Sequence, residues 1–148
     1  MGWLISPLVY ASVWVQGTHY GIDHYTLFGV IMMESEFNHH AVGDDRHSFG
    51  LWQLHVRGAG AGHPIVDLLD PYRSAEIAVA YLADLQERVG GDMRDALSAY
   101  NQGFGGWQQR GRDYNQLYWE GVLAWAERFR ASGIAPDPGR ANGYEVAG

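Results

Sequence analysis

The sequence contains no cysteine, so disulfides, zinc–thiolate centres and thiol nucleophiles are excluded. It also contains no lysine: all ten basic residues are arginine, and the first is Arg46. Schiff-base and P-loop phosphate chemistry therefore have no residue to carry them. Ten basic residues stand against 17 acidic ones, a net charge of −7, which leaves no basic surface for nucleic acid. No apolar run approaches the ~18 residues needed to span a bilayer, so membrane insertion is not expected. Met1–Val15 is apolar but has no positive charge, and Pro7 interrupts it, so it reads as a helix rather than a signal peptide.

What is present is a core and an unusual share of rings. Hydrophobic residues make up 47% of the 148, enough for one domain and too many for a disordered chain. Six Trp and nine Tyr bring the aromatic content to 14%, which suits either a core or a ring-shaped ligand.

Local signals predict five helices and little strand. Ser6 caps a first helix with Pro7 at its first position and Gly17 beyond its end. Asp23 caps a second over His24–Phe37, apolar on nearly every face. Asp70-Pro71 opens a third, with Ala78, Leu82, Leu85 and Val89 as its stripe, and Gly90-Gly91 ends it. Asp92 caps a fourth through Tyr100. Residues 101–112, with four glycines, read as a loop. Asp113–Ala131 forms the last helix, with Leu117, Tyr118, Val122, Trp125 and Phe129 toward the core. The expected division is a helical domain over 1–131 and a Pro/Gly-rich tail or linker over 132–148.

Glu34 is the carboxylate with a chemical argument. It shares a helix face with Leu27 and Ile31, and it sits at the negative end of the helix dipole. Apolar surroundings and the dipole both resist ionisation, raising its pKa toward the range of a general acid. Glu36 lies roughly 200° further round and faces elsewhere. Spacing alone leaves an ordinary solvated helix-end glutamate as the bland alternative.

Four fragments then occur in order. They are Tyr20-Gly21-Ile22-Asp23, Glu34-Ser35-Glu36-Phe37-Asn38, Gly50-Leu51-Trp52-Gln53-Leu54, and Asp70-Pro71 followed by Tyr81-Leu82 and Ala99-Tyr100-Asn101-Gln102-Gly103. Together they resemble the soluble lytic transglycosylase and goose-type lysozyme superfamily over Tyr20–Gly103. The resemblance implies a mainly α, lysozyme-like fold with a cleft, acting on peptidoglycan glycan strands without a cofactor or metal. It implies Glu34 as the acid/base at the bond between N-acetylmuramic acid and N-acetylglucosamine. Ser35 would support that glutamate, Gly50 would allow close backbone approach, and Gln53 would contact the sugar. Tyr100 and Asn101 would stand near Glu34.

The chain also departs from the family. Trp52 replaces a common Met, and is either a sugar-stacking face or core. His55 stands where transglycosylases often carry Met and goose-type lysozymes an Asp. A family Ser corresponds to Gly43. Gly43-Asp44-Asp45-Arg46 resembles a goose-type run that carries an auxiliary Asp.

With no acid at position 55, Glu34 acting twice to form a 1,6-anhydro product is the favoured expectation. A hydrolase in which Asp44 or Asp45 assists water is the alternative. A non-catalytic wall-binding or tail-structural module is a third reading. A metal site at His39, His40, His47, His55 and His63 is not expected, because the run lacks i, i+4 helical spacing. Sugar recognition is expected from aromatic faces, with Trp52, Tyr100 and Trp107 as candidates. A single copy is expected to act on the bacterial cell wall, as a phage lysin or virion component with further modules as partners.

Overall fold

Four side chains set where the main helices begin. Ser6 Oγ accepts from the Val9 N–H (3.4 Å) and Asp23 Oδ2 from Thr26 (3.1 Å). Asp70 Oδ2 accepts from Arg73 (2.6 Å) and Asp92 Oδ1 from Arg94 (2.8 Å). Each satisfies an amide that its helix leaves without an internal partner. In the computed structural model, which describes residues 2–141 and 144–145, these caps open α1 (Pro7–Tyr20), α2 (His24–Ser35), α4 (Pro71–Arg88) and α5 (Met93–Gln102). Two shorter helices, α3 (Ile65–Leu69) and α6 (Phe104–Arg110), and a long last one, α7 (Gln116–Ser132), complete a mainly helical fold.

The middle of the molecule is α2, whose residues Thr26 to Ile31 are all buried. Leu27, Phe28, Val30 and Ile31 are fully covered, each contributing about 1.5–3 kcal/mol of apolar burial. It packs mainly on α7, and Gly29 permits the approach: a Cβ there would collide with the Val122 carbonyl. Phe129 of α7 meets Phe28 and Phe37 edge-on at 6.4 and 6.1 Å. α1 packs against α4 on the other flank. Between α2 and α3 the chain makes a small antiparallel ribbon of β2 (Val42–Gly43), β3 (Ser48–Phe49) and β4 (Leu54–His55), with Gly43 opposite Ser48 and Ser48 opposite His55.

Several local expectations are corrected. Gly17 does not end α1: the helix continues to Tyr20 and closes at Gly21, which is left-handed (φ 67°). Gly17 serves packing, since a Cβ there would stand 2.8 Å from His24 Cδ2. α2 stops at Ser35 rather than Phe37, because Glu36 and Phe37 both turn left-handed (φ 52° and 64°). Residues 101–112 are not a plain loop, since α6 lies within them. Its rings are held from outside, by Arg88 over Phe104 (4.1 Å) and by Trp107 Nε1 on Asp95 Oδ1 (3.0 Å). A 3-10 turn over Arg112–Asn115 delays α7, which leaves Leu117 in its first turn, 86% exposed, while Trp119 and Val122 turn inward.

The stretch expected as a tail from Ser132 begins as part of the fold. β5 (Ile134–Pro136) pairs in parallel with β1 (Trp3–Ile5), and Ile134 is buried. The Trp3 N–H donates to the Gly133 carbonyl (2.8 Å) and the Asp137 N–H to that of Ile5 (2.6 Å). Beyond it, β6 (Arg140–Ala141) pairs with β7 (Tyr144–Glu145). The remaining tail positions, 142–143 and 146–148, lie outside the described residues. No described helix is long and apolar enough to cross a membrane.

Candidate active site

The end of α2 is fastened to the ribbon. Ser35, the last helical residue, directs its hydroxyl to the Ile31 carbonyl (3.2 Å) within the helix and to the Leu51 carbonyl (2.8 Å) outside it. The backbone around this joint is strained: all six described non-glycine residues with positive φ lie between Glu36 and Gln53. Such conformations cost of order 1–3 kcal/mol each and persist where surrounding structure holds them. Gly50 (φ 82°) is in the same stretch, and a Cβ on it would collide with the Leu68 carbonyl.

A cavity of about 320 Å³ lies beside this joint. Glu34, Asp44, Ser48, Gln53, His55 and Arg57 line it from α2 and the ribbon. Tyr81 of α4, and Tyr100, Asn101 and Gln102 at the end of α5, complete most of the lining. The site is thus assembled from segments almost 70 residues apart, with α2 supplying the acid and α5 the facing polar edge.

Glu34 is half-buried, and its carboxyl is pushed up from an ordinary 4.5 to about 7. Burial is the main cause, and the negative charge of Asp44 adds to it. One contact works in the other direction: the Tyr118 hydroxyl, reaching from α7, donates to Glu34 Oε2 at 2.7 Å. Burial and the neighbouring carboxylate hold the Tyr118 hydroxyl well above its usual pKa, so it stays a donor. This arrangement gives a carboxyl that exchanges a proton near neutrality, in a cavity large enough to admit part of a ligand.

The other residues singled out in the sequence divide into those the cavity gathers and those it does not. Tyr100 lines it, but its hydroxyl donates to the Trp52 carbonyl (2.7 Å) rather than to Glu34, and its ring rests near that of Tyr81 (5.8 Å). Asn101 lines it and accepts from Asn115 Nδ2 (2.9 Å). Gln53 lines it with both amide hydrogens engaged, on the carbonyls of Ala41 (3.1 Å) and Gly50 (3.0 Å), leaving Oε1 as its free atom. That Oε1 explains Gly43: a Cβ at 43 would collide with it, so the amide fills the space a serine side chain would need.

Both aspartates are exposed, but Asp44 is in the lining, accepting from Ser48 Oγ (2.7 Å), whereas Asp45 lies outside it. Trp52 is core, 1% exposed, and offers no face to a ligand. Gly50 is buried against Leu68 and has a structural place only. Trp107 is tied to Asp95 and does not line the cavity. Among the described residues, no three His, Asp or Glu side chains come together as a metal site.

Tyr118 is the site residue that sequence reasoning missed. Its spacing puts it in the apolar stripe of the last helix, and it lies 84 residues from its partner. A usable signal existed: a buried tyrosine needs an acceptor for its hydroxyl, and a stripe of Val122, Trp125 and Phe129 offers none.

Comparison with known proteins follows the same outline. The family model described as "Transglycosylase SLT domain" matches residues 13–120, which run from the middle of α1 to the start of α7. Among solved structures, an inactive mutant of lytic transglycosylase Slt from Pseudomonas aeruginosa aligns with a TM-score of 0.66 over 90% of this chain, at 21% identity. At that identity the likeness is one of fold. The chain spans about a quarter (26%) of the length of that structure.

Proposed function

Because this chain belongs to the transglycosylase SLT domain family, we propose that it cleaves the β-1,4 bond between N-acetylmuramic acid and N-acetylglucosamine in peptidoglycan. The observation that carries the proposal is the Glu34 carboxyl. It is pushed to about 7, held by Tyr118 at 2.7 Å, and sits in the wall of a cavity. In its protonated form it gives a proton to the glycosidic oxygen as the C1–O bond breaks, and N-acetylglucosamine leaves with a free 4-hydroxyl. The resulting carboxylate then takes the proton of the muramic acid 6-hydroxyl as that oxygen bonds to C1. A 1,6-anhydro ring forms and Glu34 is again protonated. Ser35 fixes the helix end that carries the carboxyl, and Gln53 Oε1, Asn101 and Tyr100 offer polar atoms to the sugar.

A second reading is favoured by one observation, the presence of Asp44 in the same lining. Two carboxyl groups across a cleft are what an inverting hydrolase needs, one as acid and one to activate water. Mass analysis of fragments released from purified wall separates the two. The transglycosylase reading expects ends lighter than reducing ends by one water, and fragments with reducing ends alone would refute it. Enzymatic action itself is tested by the clearing of a wall suspension. Glu34→Gln should lower the rate by about 10²–10⁴-fold. Full activity in that variant would remove Glu34 from the acid role.

A further inference from the structure

The cavity contains a feature the proton transfers do not use. Its lining includes one arginine, Arg57, just beyond β4. Arg73, Arg88, Arg94, Arg112 and Arg130 all form ion pairs with nearby carboxylates. Arg57 forms none among the described residues, and neither do Arg46, Arg110 and Arg128, but of these four it alone lines the cavity. Nor does it act on the catalytic carboxyl: Glu34 responds to burial, Tyr118 and Asp44, and not to Arg57. Arg57 is exposed at the edge of a cavity wall that also carries Glu34 and Asp44, so its guanidinium is open to an anion arriving from outside.

The neighbouring histidine is oriented to help. The backbone N–H of Arg57 donates to His55 Nδ1 (3.0 Å), so the neutral ring of His55 carries its proton on Nε2. The His47 ring lies parallel to it at 5.6 Å (12° between planes), which steadies its orientation. His55 and Arg57 both line the cavity, so an imidazole and a guanidinium belong to the same side of it. A planar fork suits a carboxylate, which it can hold through two parallel hydrogen bonds.

We infer that Arg57, with the His55 Nε2–H beside it, forms a carboxylate-recognition subsite that makes the enzyme prefer glycan strands bearing free carboxylates over amidated ones. The inference rests on the peptidoglycan reading above and adds the substituent selected. Two sources of that carboxylate lie next to the scissile bond. One is the acidic residues of a stem peptide, and the other is the lactyl group of a muramic acid whose stem has been removed.

The test compares wild type, Arg57→Ala and Arg57→Lys on three substrates stripped of wall phosphate polymers. These are untreated peptidoglycan, peptidoglycan amidated through carbodiimide, and strands freed of stems by an amidase. Wild type should lose about tenfold in kcat/KM on amidated wall, through KM, the effect left after solvent screening discounts a charge-assisted hydrogen bond. Arg57→Ala should show the lower value on both walls, and Arg57→Lys should keep part of the preference. Wild-type activity on stem-free strands near that on untreated wall, and lowered in Arg57→Ala, supports the subsite with the freed lactyl carboxylate able to take the place of the stem's. A drop to the amidated level supports it with the stem as ligand.

Arg57→Ala retaining the wild-type preference would overturn the inference. Should no substrate release fragments with wild type, the catalytic reading falls separately. Titration of muramoyl dipeptide and its amidated form against wild type and Arg57→Ala, followed by NMR, then decides the subsite. Tighter binding of the acid by wild type alone supports it, and equal binding of both forms refutes it.

Discussion

Replacing Glu34 by Gln should make the protein more stable, by an amount that depends on pH in a specific way. The folded protein raises the Glu34 pKa from 4.5 to about 7, so the fold binds this proton more tightly than the unfolded chain does. Below pH 4.5 both states are protonated and the carboxyl costs nothing. Between 4.5 and 7 the unfolded chain ionises first and wild-type stability falls, by about 1.4 kcal/mol per pH unit. Above 7 the loss is complete, about 3 kcal/mol in all, an upper figure because the side chain keeps some contact with solvent. Glutamine is neutral throughout and still accepts from Tyr118, so it escapes this loss. The stability difference between variant and wild type should therefore open across pH 4.5–7 and stay level above it. Carboxylates held low, such as Asp23 beside Arg130, titrate alike in both proteins and cancel. Urea unfolding from pH 4 to 8.5 reads the difference directly, and at pH 8 the melting temperatures should differ by about 6–12 °C. A difference that stays flat across the window, or one that closes as pH rises, would refute the assignment of a raised pKa to Glu34.

Two other substitutions test the surroundings of that carboxyl. Tyr118→Phe keeps the ring and removes the donor that favours the ionised form, so the Glu34 pKa should rise further, by about one to two units. Since the proposed reaction needs the protonated acid, the alkaline limb of kcat/KM should move upward by that amount; an unmoved limb would show that the hydrogen bond is idle. Gly50→Ala places a Cβ against the Leu68 carbonyl at φ 82° and should cost about 2–3 kcal/mol, visible as a lower melting temperature. An unchanged melting temperature would mean the approach of α3 to the ribbon is looser than described.

Much of this was legible because its causes are local. The caps Ser6, Asp23, Asp70 and Asp92 each act within three residues, and all four helix starts fall where their side chains place them. Glu34 was legible for the same reason, from its apolar helix and its place at the end. What failed depended on partners distant in sequence. α6 has glycines at 105 and 106, against helix propensity, and forms because Arg88 and Asp95 hold its rings. The parallel pairing of β1 with β5 joins the two ends of the chain, where no periodicity announces it. Trp52 and Gln53 are adjacent, and the left-handed Gln53 (φ 49°) separates them, one into the core and one onto the cavity. Composition suggested that aromatic faces line a cleft; the rings that do so are Tyr81 and Tyr100, and the tryptophan nearest them is structural.

The placement of Tyr118 bears on how one carboxyl can serve twice. A general acid is helped by burial only until its pKa nears the working pH, since beyond that it stays protonated but gives its proton up less readily. A group that must also take a proton back in the next step is bounded from the other side, because too low a pKa would leave its carboxylate a weak base. Burial and Asp44 push Glu34 up, Tyr118 pulls it down, and the balance falls at about 7. There the cost of being in either form is small at neutral pH, which is the condition for acid and base duty in one turnover. Asp44 contributes to this balance by charge alone, without having to activate water. Its presence in the cavity is therefore compatible with the transglycosylase reading as well as with the hydrolytic one. Asp44→Asn separates the two roles. If Asp44 acts by charge, the Glu34 pKa should fall, the alkaline limb should move down, and the anhydro ends should be unchanged. If Asp44 activates water, the variant should lose turnover of reducing-end products at every pH.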